Sequence, residues 1–174
     1  MICGLTYGSV RLRPLEPEDL DELYKWENDP SIWKVSCTQT PFSRYILKKY
    51  IEESHRDIVE AKQLRLIIEN LEEKPVGAID LFDYEPFHLR AGVGILIYDI
   101  EERRRGLATD ALELLMQYCK KTLGLNQLYA NIGSSNFPSI NLFEKSGFRK
   151  VGIKEKWNRT SEGWSSEILY QKLL

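Results

Sequence analysis

Between residues 93 and 132 the spacing of apolar residues changes twice, and this constrains the fold more than any other feature of the chain. Val93 to Tyr98 is a run of mostly β-branched and aromatic residues, the composition of a buried strand. From Gly106 onward Ala108, Ala111, Leu112, Leu115, Cys119 and Leu123 recur at helical spacing, and Gly124 supplies a stop. Gln127 to Ile132 returns to a strand pattern. A helix with one apolar stripe between two strands buries that stripe only by crossing back over a shared sheet, so the chain is expected to be α/β.

The flanking segments extend that sheet. Ser9 to Leu15 alternates like a half-buried strand, and Leu64 to Glu69, Val76 to Phe82 and Val93 to Tyr98 read as an antiparallel meander. Two helices are expected before the meander. One follows Pro17 with Leu20, Leu23 and Tyr24 at helical spacing and ends at Asn28-Asp29-Pro30; the other is capped by Ser43, with Ile46, Leu47, Tyr50, Ile51 and Ile58 on one stripe. After residue 132 come a short helix from Pro138 to Ser146 and two strands, Phe148 to Lys156 and Trp164 to Lys172, around the turn at Asn158 to Gly163. The expected fold is a mixed, mostly antiparallel central sheet of about seven strands with helices on both faces. With 174 residues, 43% of them hydrophobic, and no repeat or linker, residues 1–174 are read as a single domain.

Charge and composition remove several functions. A formal net charge of -2 supplies no basic field for nucleic acid. No segment approaches the roughly 20 apolar residues of a membrane span, and Met1 to Leu5 lacks the pattern of a signal peptide, so a cytoplasmic protein without a membrane partner is expected. Cys3, Cys37 and Cys119 include no C-x-x-C pair, so neither a disulfide framework nor a metal site is expected, and Cys119 is read as core.

The segment Gly94 to Thr109 carries the chemistry. A strand feeds a charged loop, Asp99 to Arg105, that opens a helix after Gly106. The start of a helix presents unpaired N–H groups and about half a positive charge, which suits an anionic ligand. Arg103, Arg104 and Arg105 add charge, and Gly106 permits close approach to the main chain. The chain has no G-x-x-x-x-G-K-[ST], and Gly92-Val93-Gly94 is followed by Ile97 where a dinucleotide fold needs glycine. On spacing alone, three solvated arginines explain the loop as well as a phosphate does.

Two motifs sharpen that choice. Arg103-Arg104-Arg105-Gly106-Leu107-Ala108 resembles the [Q/R]-x-x-G-x-[G/A] signature of the GCN5-related N-acetyltransferase (GNAT) family, and Asn136 to Phe148 (NFPSINLFEKSGF) is similar to that family's N-x-x-[SA]-x-x-[LIV]-[YF]-x-K-x-G-F segment. Arg11 to Leu15 and Trp26 to Pro30 further resemble the subgroup of ribosomal-protein N-terminal and spermidine/spermine acetyltransferases. The resemblance implies transfer of an acetyl group from acetyl-coenzyme A to a primary amine by direct attack. A polyamine, an aminoglycoside-like amine or a protein N-terminus would serve as acceptor. It implies acetyl-CoA as cosubstrate, no metal, and a homodimer or larger homo-oligomer as a state the sequence leaves open.

Residue by residue, the resemblance implies that the main chain of Arg104, Arg105, Gly106, Leu107, Ala108 and Thr109 cradles the pyrophosphate, with Arg103 beside it. The pantetheine arm would run along Gly94 to Tyr98, Ile97 included, where this strand splays from Gln127 to Ile132. An N–H of Ile95 or Leu96 would stabilise the oxyanion, and Asn136, Phe143 and Lys145 would lie near the coenzyme, although Asn136 also reads as a helix cap and Phe143 as core. Many relatives carry a tyrosine where Phe143 stands and a carboxylate near Gly92; both groups are missing here. The missing base matters more. An amine of pKa about 10.4 is neutral once in roughly 2,500 molecules at pH 7, about 4.6 kcal/mol, whereas a thiol of about 8.5 leaves with little help. Asp83 and Glu85 are the favoured replacement bases, with Asp80 and His88 nearby and Tyr98, Tyr129 and Ser135 as proton donors. The acidic residues Glu16, Glu18, Asp19, Asp21, Glu22, Glu27 and Asp29 would attract a cationic acceptor or simply solvate a helix. The missing groups also motivate an alternative function, a coenzyme A-binding sensor without turnover.

Overall fold

A computed structural model describes residues 5–36 and 38–174. The elements run β1 (Leu5–Tyr7), β2 (Val10–Pro14), a 3-10 turn (Pro17–Asp19), α1 (Leu20–Glu27), α2 (Pro30–Ser36), α3 (Arg44–Glu53), α4 (Ile58–Ala61), β3 (Leu64–Glu69), β4 (Pro75–Glu85), β5 (Arg90–Ile97), α5 (Leu107–Lys121), β6 (Gln127–Gly133), α6 (Phe137–Lys145), β7 (Arg149–Thr160) and β8 (Gly163–Leu173). One sheet holds eight strands in the order β1-β2-β3-β4-β5-β6-β8-β7. Every neighbouring pair is antiparallel except β5 and β6, whose parallel pairing follows from the α5 crossover between them.

Alternation along β3 separates the two cores. Leu66 and Ile68 point into the larger cluster, where Ala111, Leu112, Leu115 and Cys119 of α5 meet Leu128, Ala130 and Ile132 of β6. Ile67 points the other way, into Leu15, Leu23, Trp26, Leu47 and Ile51 beneath α1 and α3. Helices therefore cover both faces, as the sequence implied.

The differences from expectation are local. β1 is an additional strand, joined to β2 through Gly8 at φ 56, so the sheet has eight strands rather than about seven. The first helix ends as expected at Asn28, but Pro30 starts α2 at once, since its fixed φ suits a first helical position. Ile58 belongs to α4 and not to the stripe of α3, because Asp57 caps a new helix by accepting from Val59 N–H at 2.8 Å. The expected end of α5 holds: the helix stops at Lys121, and Gly124 sits at φ 64. Cys119 is buried, and burial pushes its thiol up to about 12, consistent with inert core; Cys3 and Cys37 lie outside the described residues. Among the described residues no helix is long and apolar enough to cross a membrane.

Candidate active site

The sheet opens at its one parallel pair. β5 is paired with β4 from Gly77↔Ile97 to Phe82↔Gly92, but with β6 only at Arg90↔Gln127, Ala91↔Leu128 and Gly92↔Tyr129. Beyond Tyr129, β6 pairs on its other side with β8 as far as Gly133. The edge of β5 from Val93 to Ile97 thus faces a wedge-shaped gap with Gly92 and Tyr129 at its vertex.

The direction of each peptide in that gap follows from the ladder. Tyr98 N–H donates to the Val76 carbonyl at 2.9 Å, and main-chain groups alternate sides along a strand. Leu96 therefore faces β4, where its carbonyl lies 2.3 Å from the position a Cβ on Gly77 would take. Val93, Ile95 and Ile97 face the gap. Leu96 is corrected on this ground as an oxyanion donor, because its N–H belongs to the ladder; Ile95 retains the geometry. The Ile97 carbonyl accepts from Arg103 Nε at 2.8 Å. Arg103 thereby braces the loop against the strand end.

At the mouth of the gap the chain turns into α5. Arg104 at φ 64 and Gly106 at φ 85 are left-handed, and Gly106 is the helix N-cap, its carbonyl accepting from Asp110 N–H at 3.0 Å. The six N–H groups of Arg104 through Thr109 have no protein hydrogen-bond partner among the described residues. A Cβ on Gly106 would meet nothing within 4 Å, so the space before these amides is open. The turn is held firmly from behind. Leu107 is buried, Asp110 accepts from Ser9 N–H at 2.9 Å and Ser9 Oγ at 2.8 Å, and Lys74 pairs with Asp99 at 2.6 Å, drawing that carboxyl below its ordinary range. Arg105 reaches Glu102 at 3.3 Å, while the Arg104 side chain is exposed. Six outward amides, a helix dipole and open space fit the diphosphate of a coenzyme A molecule.

The second motif divides. Asn136 caps α6, its Oδ1 accepting from Ser139 N–H at 3.3 Å. Phe143 is 2% exposed and meets Phe148 edge to face at 4.9 Å, so it belongs to the core and presents nothing to the gap. Lys145 is exposed at the end of α6. The favoured bases divide also. Glu85 accepts from Phe87 N–H at 3.2 Å within its own turn, whereas Asp83, exposed at φ 47 beside the β4 bulge, accepts from Tyr129 Oη at 3.0 Å. Burial and this hydrogen bond push Tyr129 up to about 12. His88 lies against Phe87, and Tyr98 stacks on Trp26 at 4.5 Å, where burial and Glu27 raise its hydroxyl well above the ordinary value.

On the α1 face most acidic residues already have partners. Asp19 binds Arg13, Asp21 binds Arg44, Glu22 binds Lys25, and Asp29 accepts from Ser31 N–H. Sequence spacing did not indicate the remaining group, assembled from three elements: Arg65 on β3 reaches Glu27 at 2.6 Å and Asp80 at 2.7 Å beneath the Tyr50 ring. Burial opposes the charge on Arg65, yet the two carboxylates hold its pKa well above the ordinary value. Two carboxylates oppose one guanidinium here. Beside them Tyr50, Gln63, Leu64, Arg65, Asp80, Leu81 and Phe82 line a cavity of about 140 Å³. A larger groove of about 480 Å³ runs between the 3-10 turn and α3, lined by Leu15, Leu20, Ile51 and His55 among others, but it lies away from the gap between β5 and β6.

Comparison with known proteins gives the family and the fold. The model of the acetyltransferase (GNAT) domain matches residues 9–149. The chain belongs to the GNAT acetyltransferase family. Spermidine N(1)-acetyltransferase of Escherichia coli K12 is 31% identical over 144 residues, covering 83% of this chain and 75% of that protein. Among solved structures, spermidine N-acetyltransferase from Vibrio cholerae in complex with CoA and spermine has a TM-score of 0.86 at 20% identity, covering 95% of each chain. Ribosomal-protein-S5-alanine acetyltransferase from Vibrio fischeri also reaches 0.86, at 16% identity over 98% of this chain and 96% of that one. At these identities the structural likenesses show the fold. Family membership makes this GNAT chain an acetyl-CoA-dependent N-acetyltransferase.

Proposed function

We propose that this single-domain GNAT enzyme acetylates a small cationic primary amine of the polyamine class in the cytoplasm. The coenzyme diphosphate is held by the amides of Arg104 to Thr109, and its arm lies along the free edge of β5. The single observation carrying this reading is the parting of β5 from β6 after Gly92, which leaves main-chain groups of Val93, Ile95 and Ile97 directed into a gap that ends at six unpartnered amides. Strand edges and helix starts are the two places where a fold offers unused donors. Ile95 N–H stabilises the oxyanion as the amine attacks the thioester carbon.

The acceptor occupies the cavity beside Asp80 and Glu27. The Glu27–Arg65–Asp80 cluster at its edge sets two carboxylates against one guanidinium, which favours an ammonium, and the cavity volume of about 140 Å³ favours a slender chain over a folded peptide. The test is a thiol-release assay with acetyl-CoA and a panel of spermidine, an aminoglycoside and short peptides. Release with spermidine in preference to peptides is expected, and preference for peptides overturns the polyamine assignment. A second reading, a coenzyme-binding sensor, is favoured by the burial of Phe143 and the lack of a side chain at Gly92. It predicts thermal stabilisation by coenzyme A without thiol release.

A further inference from the structure

The established chemistry needs a proton acceptor for the attacking amine, and neither Gly92 nor Phe143 supplies one. The vertex of the gap is nevertheless built around a hydroxyl. A Cβ on Gly92 would lie 2.2 Å from the Phe82 ring, so the space a side chain would take at residue 92 is filled by that ring. The Phe82 ring meets Tyr129 edge to face at 5.7 Å, and Tyr129 stands directly across from Gly92 in the parallel ladder. Its hydroxyl donates to Asp83 Oδ2 at 3.0 Å. Bridge partners point to the same face of a sheet, so Phe82, Gly92 and Tyr129 share the face that carries Asp80 and the cavity. Ile95 is three residues farther along β5, about 10 Å at the usual rise per residue.

Resting on the acetyltransfer reading, we propose that Tyr129, oriented by Asp83 at the vertex of the gap, accepts the proton of the attacking amine. The direction of the hydrogen bond decides the role. A hydroxyl that donates to a carboxylate turns its lone pairs outward, which makes it an acceptor toward the gap. Burial and Asp83 push Tyr129 up to about 12, so the hydroxyl stays protonated and keeps its proton on the Asp83 side at neutral pH. The neutral amine forms the C–N bond while the carbonyl π pair moves to oxygen beside Ile95 N–H. The nitrogen, now positive, passes a proton to Tyr129 Oη as the tyrosine's own proton moves to Asp83 Oδ2. The oxyanion then collapses, and the C–S bond breaks with its pair on sulfur. Asp83 is exposed and returns the proton to water. Tyr129 is the catalytic group, and Asp83 positions it and receives the proton.

Tyr129→Phe keeps the ring and its contact with Phe82 and removes only the hydroxyl. With saturating acetyl-CoA and spermidine, kcat should fall about 100-fold, the KM for acetyl-CoA should not move, and the remaining rate should climb with pH up to pH 9 as hydroxide replaces the relay. Asp83→Asn, an exposed change that keeps an acceptor for the hydroxyl, should lower kcat in the same direction, and the double variant should be little worse than Tyr129→Phe alone. Wild-type kcat and pH profile in Tyr129→Phe or in Asp83→Asn overturn the relay while leaving acetyl transfer in place. Coenzyme A binding by calorimetry separates the two ideas: if the wild-type chain binds it without releasing thiol, or fails to bind it, the acetyltransfer reading and the relay fall together.

Discussion

The coenzyme end of this molecule is made of main chain, and the amine end is made of side chains. Between Val93 and Thr109 the useful groups are peptide N–H and C=O, fixed by a strand edge and a helix start, and seventeen consecutive residues hold nearly all of them. Opposite, Glu27, Arg65, Asp80, Tyr50 and Tyr129 come from α1, β3, β4, α3 and β6. A main-chain cradle tolerates change in most of its side chains and fails at the few positions where bulk enters it. A side-chain site depends on the packing of distant elements and fails through stability as readily as through chemistry.

This contrast can be broken by substitution. Arg65→Ala should have the largest effect, because it leaves Glu27 and Asp80 facing each other with side chains only 13% and 31% exposed. A loss of about 3 kcal/mol in stability is expected from denaturant unfolding, together with weaker amine binding. Gly106→Glu should act the other way. Its Cβ points into open space, so the fold pays roughly 1–2 kcal/mol for the left-handed φ of 85, but affinity for coenzyme A by calorimetry should fall at least about 100-fold, close to 2.7 kcal/mol. Unchanged affinity removes the cradle.

Asn136→Ala sharpens the same comparison. If Asn136 serves only as the cap of α6, melting should show a loss of about 1 kcal/mol and coenzyme affinity should stay constant; a loss of affinity assigns its amide to the arm as well. The smallest effect is on pH. Tyr98 and Tyr129 are both held above the ordinary phenol value of about 10. Their folded pKa values exceed the unfolded ones, so above pH 10 the unfolded chain loses these protons first. Stability measured by urea should be unaffected by these groups below pH 10 and decline between pH 10 and 12. Asp83→Asn should bring the Tyr129 titration, followed by tyrosinate absorbance, back toward 10.

The same division explains what the sequence disclosed. The α5 stripe, the strands on either side of it and the turn at Gly106 were legible because each is a local pattern. The splay after Gly92 was expected only through the family resemblance, since no propensity states where a ladder stops. Choosing Ile95 over Leu96 needed the register with β4, a property of two strands. Asp83 stands out in the sequence as a candidate base, but its partner Tyr129 lies 46 positions away, and only pairing across Gly92 brings them together. The acidic helix left two readings open in the sequence, and the fold separates them residue by residue: carboxylates such as Asp19 and Asp21 find arginines in the folded chain, whereas Glu27 joins the Arg65 cluster. β1 had a usable signal, Leu5-Thr6-Tyr7 before Gly8-Ser9, which is a strand end meeting a tight turn.

The most direct test of the cradle is a coenzyme A titration of the ¹⁵N-labelled protein followed by amide resonances. The amides of Arg104 to Thr109 should show the largest shifts and the strongest slowing of hydrogen exchange, with Ile95 and Ile97 next. Saturable binding that leaves residues 104–109 unmoved, with its largest shifts around α3 and the 3-10 turn, would contradict the account.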